Sequence, residues 1–188
     1  MLFVGLGNPG SSYVNTRHNI GFRVIDKLVS DLGARDISKS SFHGKLYRHG
    51  SLFFLQPTTF MNLSGKSVQA VKQFFKIENS DIVIIHDDIN IPFGAVRYKV
   101  GGGHGGHNGL KSIDASIGRE YTRVRVGVDK PEHKGQVADY VLHRFSDEEE
   151  SNLDELISYL TKVSQKIPIT TLNQIKSLYS LKDISVLK

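Results

Sequence analysis

The chain has no cysteine, which excludes disulfides, a thiolate nucleophile and cysteine-based zinc sites. No apolar run approaches the roughly 20 residues of a membrane helix. The start, Met1-Leu2-Phe3-Val4, has no basic segment ahead of its apolar residues, so no signal peptide is expected. Internal repeats and long linkers are missing, and the one low-complexity tract is Gly101–Gly109. A cytoplasmic location is the plain expectation, to which the missing cysteines contribute. With 39% hydrophobic and 23% charged residues, wholesale disorder is excluded. The 188 residues suit one domain with a core that needs no staples.

Lys and Arg outnumber Asp and Glu by 24 to 19, a net charge of +5. The excess is uneven: Ala95–Lys134 holds eight basic residues against four acidic, whereas Ser146–Glu155 holds six acidic and none basic. A basic stretch beside glycine-rich sequence suits a polyanionic partner such as nucleic acid; a solvated surface is the plain alternative.

Apolar periodicity places the elements. Leu2–Leu6, Leu52–Leu55 and Asp81–His86 read as buried strands, the second halted by Pro57, and Val96–Val100 as a weaker one. Alternation over Arg123–Val128 reads as a half-buried strand. Helical spacing appears over Asn19–Leu32 with Gly33 as a stop, over Ser64–Phe75 with Val68, Val71, Phe74 and Phe75 on one stripe, and around Leu110–Ile117. Ser146-Asp-Glu-Glu149 is a capping box opening a helix to about Leu160. From Ile167 onward the apolar residues fit a helix, while Pro168 and the threonines fit a loop. Strands alternating with helices predict an α/β layer fold with a largely parallel sheet.

Three informative segments, Asn8-Pro9-Gly10, Pro57–Ser64 and His86-Asp87-Asp88, each follow a strand. Ligands of open α/β sheets gather beyond the carboxyl ends of the strands, so these segments are expected to converge on one site. His18, at the mouth of the first long helix, is a candidate general base. The helix dipole there disfavours imidazolium and keeps the ring neutral. Such a base needs a carboxylate to fix its tautomer. Asp87 is the natural partner and Asp88 the competitor, since neighbouring strand residues point to opposite faces. Asn8, Asn62 and Asn108 read as turn or N-cap residues, or as carboxamides that recognise peptide groups and support an oxyanion. Phe60 and Met61 wall a groove or fill core. Arg97 and Lys99, with Arg123 and Arg125, would form a clamp on phosphate oxygens.

Gly5-Leu-Gly-Asn-Pro-Gly10 satisfies the dinucleotide pattern G-x-G-x-x-G, but no helix opens at the third glycine and the acid Asp36 lies in no buried strand, so a nicotinamide oxidoreductase is the weaker reading. A metal site from His86, Asp87, Asp88, His104 and His107 lacks a recognised ligand spacing. A non-catalytic nucleic-acid-binding module is the other rival.

Gly5-Leu-Gly-Asn-Pro-Gly10, Thr16-Arg-His-Asn-Ile-Gly-Phe22, Pro57-Thr-Thr-Phe-Met-Asn-Leu-Ser-Gly65 and Gly101-Gly-Gly-His-Gly-Gly-His-Asn-Gly-Leu110 together resemble the bacterial peptidyl-tRNA hydrolase family. The resemblance runs in family order from Met1 to about Val141. It implies a carboxylic ester hydrolase that cuts the bond between a peptide's C-terminus and the terminal ribose of tRNA, recycling peptidyl-tRNA dropped from ribosomes. It further implies a single domain over 1–188, three-layered, with helices around a mixed, largely parallel central sheet of phosphorylase/hydrolase-like type. The enzyme would be monomeric and cytoplasmic, with no metal, cofactor or membrane, and its partner the acceptor stem and 3′ end of peptidyl-tRNA. By resemblance, His18 falls on the catalytic base, Asp87 on its supporting acid, and Asn8 on the residue that distinguishes blocked from free aminoacyl-tRNA. Tyr13, Phe60, Asn62 and Asn108 fall on substrate-binding positions with Met61 and His107 nearby. Lys99 and Arg125 fall on the pair gripping tRNA phosphate, and Arg97 on a further basic contact. The tail after about Ser164 carries no family motif.

Overall fold

The computed structural model describes residues 1–131 and 133–187. Strand β1 (Leu2–Gly5) leads through a loop and a single 3-10 turn, Arg17–Asn19, into helix α1 (Ile20–Leu32), which Gly33 ends in the left-handed conformation, as a C-terminal glycine does. Then come β2 (Arg35–Asp36), β3 (Gly44–His49), β4 (Leu52–Pro57), α2 (Ser64–Phe75), β5 (Ile82–Asp88), β6 (Val96–Val100), α3 (Asn108–Ile117) and β7 (Thr122–Gly127). Helices α4 (Val137–Leu142), α5 (Asp147–Ser164) and α6 (Leu172–Tyr179) complete the chain.

One seven-stranded sheet runs in the order β2-β3-β4-β1-β5-β7-β6. Its centre, β4-β1-β5-β7, is parallel, and the outer strands pair antiparallel. Successive side chains of a strand point to opposite faces, so each central strand feeds two cores. Phe3, Val83 and Ile85 pack under α1, α5 and α6 with Val24, Leu28, Leu156 and Ile175. Leu2, Val4, Ile82 and Ile84 pack under α2 and α3 with Val68, Val71 and Ile113. The result is a three-layer α/β fold. Truncating a core residue such as Leu28 to Ala would cost about 2–5 kcal/mol.

Several sequence expectations are corrected. The edge strands β2 and β3 carried no apolar alternation strong enough to announce them. Strand β4 continues through Pro57, which pairs Gly44 at its end. Phe74 is more than half exposed and lies off the buried stripe of α2. Strand β7 is an interior strand with β6 on its outer edge, and all its residues except the half-buried Arg125 are buried. The tail is ordered as α5, a 3-10 turn at Ile167–Ile169 and α6, and Leu181 extends the sheet edge by a two-way backbone bridge to Val96.

The first glycine motif serves packing. A Cβ on Gly5 would lie 2.1 Å from the Gly21 carbonyl oxygen, and one on Gly21 would lie 2.4 Å from the Leu6 nitrogen. Strand β1 and helix α1 therefore touch backbone to backbone. The segment after Gly10 forms turns, and Asp36 is exposed on the two-residue β2. Neither feature of a dinucleotide site is present.

Candidate active site

Strand β5 delivers its last residues, His86, Asp87 and Asp88, at its carboxyl end, and the side chains diverge as the period of two requires. Asp87 is buried, and its Oδ1 lies 2.9 Å from His18 Nδ1 and 2.9 Å from His107 Nε2. Asp88 turns to Arg125, whose Nε donates to Oδ2 at 2.7 Å.

The contacts fix both ring tautomers. His107 is the N-cap of α3: its Nδ1 accepts from the amides of Gly109 and Leu110 at 3.1 and 3.3 Å. The ring proton therefore sits on Nε2 and is donated to Asp87. His18 gives its Nδ1 proton to the same oxygen, which leaves its Nε2 bare at the cleft. Burial, the largest influence, pushes His18 down, but the Asp87 charge and hydrogen bond outweigh it and hold the imidazole above its ordinary value. Burial pushes the Asp87 carboxyl up, yet the two imidazoles draw it well below the carboxylate range. His86 donates from Nδ1 to the Asp87 carbonyl at 2.6 Å; burial, with His107 alongside, pushes it down to about 3.

His18, Asp87, His107 and Asn108 line a cleft of about 360 Å³, with the glycine loop on one side and Val137, Ala138 and Val141 of α4 on the other. Two buried arginines hold these walls, and neither stood out in the sequence as a wall support. Arg17, beside the base, donates to the Arg144 carbonyl and to Glu149 Oε2, both at 2.6 Å, and stacks 4.3 Å from the Tyr140 ring. Glu149 is the acid of the α5 capping box. Arg123 is 2% exposed and donates to the Gly102 and Gly103 carbonyls at 3.0 and 2.8 Å and to Asp114 at 3.0 Å. It straps the glycine loop from within, so the expectation of a phosphate contact at Arg123 is corrected.

The carboxamides divide. Asn8 does not bond its own turn: its Oδ1 accepts from the Met61 amide at 2.8 Å, across 53 residues of sequence. Its Nδ2 is left as a donor. Asn62 and Asn108 are exposed, and the cap of α3 is His107 instead of Asn108. Tyr13 and Phe60 meet edge to face at 6.4 Å, with Phe60 56% exposed, while Met61 is core. Asn8 and these aromatics stand outside the lining of the His18 cleft.

Register places Arg97 opposite Arg125 and Lys99 opposite Arg123 on one face of β6 and β7. Lys99 is exposed and Arg125 half-buried. The Arg97 guanidinium is engaged with the carbonyls of Val96 and Leu181, which places it against the chain's own tail.

The candidate metal set weighed from the sequence disperses. His86 bonds a backbone carbonyl, Asp88 bonds Arg125, and His104 Nδ1 accepts from the Gly106 amide. The nearest compact group among the described residues is His18, Asp87 and His107. In that group the facing nitrogens carry protons toward Asp87, and His107 has committed its lone pair to the cap of α3. The donor chemistry is that of a hydrogen-bonded relay.

Residues 2–185 match the family model described as peptidyl-tRNA hydrolase. The chain is 66% identical over 187 residues to a peptidyl-tRNA hydrolase of Sulfurovum sp. (strain NBC37-1), covering 100% of this chain and 99% of the relative. It is 54% identical over 183 residues to the peptidyl-tRNA hydrolase of Sulfurimonas denitrificans, covering 97% and 98%. The crystal structure of peptidyl-tRNA hydrolase from Acinetobacter baumannii superposes with a TM-score of 0.92 at 35% identity, covering 97% of this chain and 95% of that one. With that coverage and the His18–Asp87 cleft at the carboxyl end of β5, the chain belongs to the peptidyl-tRNA hydrolase family.

Proposed function

We propose that this protein hydrolyses the ester linking a peptide to the 3′-terminal ribose of tRNA, with His18 as general base and Asp87 as its supporting acid. The observation that carries the reading is the 2.9 Å contact between His18 Nδ1 and Asp87 Oδ1, which leaves the opposite ring nitrogen bare in a cleft. His18 Nε2 takes a proton from water as its oxygen bonds to the ester carbonyl carbon. Asp87 steadies the imidazolium that forms. As the tetrahedral intermediate collapses, the bond to the ribose 3′ oxygen breaks and that oxygen takes the proton from His18. The products are a free peptide acid and tRNA with its 3′ hydroxyl. General-base assistance of this kind contributes about 10²–10⁴-fold.

In this reading Asn108, which lines the cleft at the start of α3, donates to the oxyanion, and Asn8 and Asn62 hold the peptide; Asn8 can only donate, its oxygen being taken. Tyr13 and Phe60 flank the peptide, Met61 supports them from the core through its amide contact with Asn8, and His107 holds Asp87 in place. Lys99 and Arg125 grip a phosphate of the acceptor stem; Asp88 fixes the Arg125 Nε, and the terminal nitrogens of Arg125 have no hydrogen-bond partner among the described residues. In this reading the enzyme is a metal-free, cofactor-free monomer of the cytoplasm. No described helix is long and apolar enough to cross a membrane. Incubation with an N-acetyl-aminoacyl-tRNA tests the proposal: release of the acyl group supports it, and binding without release would make the protein a non-catalytic tRNA module.

A further inference from the structure

The dipeptide Asn-Gly occurs once in the chain, at Asn108-Gly109, and its surroundings require both residues. A Cβ on Gly109 would lie 2.6 Å from Met61 Sδ and 2.9 Å from Leu6 Cδ1, so the glycine lets the start of α3 close on the core beneath the cleft. Asn108 is exposed and lines that cleft. The pair carries a chemical hazard. With no side chain on the following residue, nothing shields the Gly109 nitrogen from the Asn108 carboxamide carbon. Attack forms a bond from that nitrogen to Cγ. The bond from Cγ to the side-chain nitrogen breaks, and ammonia leaves with the peptide proton. Water then opens the cyclic imide, which leaves aspartate or isoaspartate at position 108.

We infer that Asn108 is a site of spontaneous deamidation, and that His107 holds the reaction in check by capping α3. Ring closure requires the backbone to rotate about the Asn108 Cα–C bond, away from helical geometry. The first N–H groups of a helix lack intrahelical acceptors, so this turn frays unless a side chain ties it. His107 Nδ1 does so, accepting from the Gly109 and Leu110 amides at 3.1 and 3.3 Å. The attacking nitrogen is one of the two that the cap holds. The cap is itself anchored from its far side, where His107 Nε2 meets the buried Asp87 Oδ1 at 2.9 Å. Aspartate, also a good cap, would set a second carboxylate against Asp87. Asn79-Ser80, a milder pair, is guarded differently: Asn79 Nδ2, the leaving nitrogen, donates to the Ile117 carbonyl at 2.6 Å. The Asn108 carboxamide makes no hydrogen bond among the described residues, so its protection lies in the backbone. The consequence for activity rests on the hydrolase reading above. Aspartate at 108 puts a negative charge where the oxyanion forms, and isoaspartate reroutes the chain at the start of α3.

The test follows the tryptic peptide Val100–Lys111 by chromatography and mass spectrometry as the full-length protein ages at mildly alkaline pH. Wild type, His107→Ala and His107→Ser are compared, with wild type unfolded in urea alongside. Both variants lose the imidazole contact with Asp87, but serine keeps a cap and alanine does not. Asn108 should convert faster in His107→Ala than in His107→Ser by about two- to thirtyfold, the equilibrium worth of an N-cap. Asn79, in the peptide Ile77–Arg97 of the same digest, reports any global unfolding, so the ratio of the two conversions reads the cap alone. Folded wild type should convert Asn108 more slowly than the unfolded chain does. Equal ratios in the two variants, or a folded wild type that converts as fast as the unfolded chain, would overturn the inference. Aged wild type should also lose hydrolysis of blocked aminoacyl-tRNA in step with conversion, and activity that outlasts conversion would overturn the consequence assigned to it. Fresh protein without that activity would overturn the hydrolase reading instead, because the mass measurement does not depend on it.

Discussion

Replacing Asp87 with Asn removes one negative charge and little else. Both imidazoles meet the same oxygen at 2.9 Å, so a carboxamide oxygen in that place still accepts from both. What disappears is compensation for the imidazolium that His18 becomes when it takes a proton from water. A hydrogen bond to a charged group contributes about 1.5–3 kcal/mol, against about 0.5–1.5 for a neutral one. The His18 and Asp87 side chains are less than a tenth exposed, so solvent replaces little of the loss. A carboxamide also holds the ring tautomer less firmly. The expected fall in kcat/KM is about 10²–10⁴-fold, the range for losing general-base catalysis, or about 3–5 kcal/mol at 1.36 kcal/mol per decade. A second signature has a definite sign. In the wild type, Asp87 holds His18 above its ordinary 6.5 against the downward push of burial. Activity requires the neutral ring, so the rate rises with pH through that raised value. In the variant only burial remains, and the acid limb moves to lower pH. A pH profile of kcat/KM on blocked aminoacyl-tRNA reads both effects. A variant with wild-type rate, or with an unmoved acid limb, would refute the reasoning.

Other outcomes follow from the same geometry. Replacing Lys99 and Arg125 together with Gln should raise KM, leave kcat near wild type and lower the slope of log affinity against log salt by about one, as filter binding at several salt concentrations would show. Gly21→Ala drives a Cβ to within 2.4 Å of the Leu6 nitrogen and should cost about 1–3 kcal/mol of stability by overpacking, read as a lower urea midpoint. Arg17→Gln strands Glu149 and the Arg144 carbonyl and should cost about 2–3 kcal/mol, at or below the range for breaking a buried pair because both partners keep some solvent contact; an unchanged urea midpoint would argue against that strap. His86 stays neutral in the fold down to about pH 3, while the unfolded chain takes up its proton near 6.5. Its contribution is thus complete above 6.5 and declines as pH falls toward 3, so His86→Gln should flatten the pH dependence of stability across that window.

The central layers were legible because their signals are physical and local. Ile82–Ile85 is apolar on both faces, as a strand sandwiched by helices must be. Ile20, Val24 and Leu28 share a helical face, and Gly33 and Ser146 end and begin helices by their own backbone chemistry. The β2–β3 hairpin was not legible, since its outward residues are polar and its stability comes from pairing with β4. Interior burial of β7 was hidden for a related reason: Arg123 reads as a solvent-facing charge until Asp114 and two glycine carbonyls are found around it. At the site, position on the sheet indicated that His18 and Asp87 could meet and that Asp88 would turn away. Sequence could not show that His107 shares the same carboxylate oxygen, because that depends on α3 beginning where the glycine loop returns to the sheet. Nor could it show that Arg97 is occupied by the tail, a contact made 84 residues downstream.

Single-turnover hydrolysis by His18→Ala, with tRNA affinity measured on the same preparation, addresses the central claim most directly. Loss of at least about a hundredfold in the cleavage step, with affinity within a few-fold of wild type, is the predicted result. Cleavage at near-normal rate would contradict the account, because the water would then be activated by some group other than the imidazole at the Asp87 oxygen.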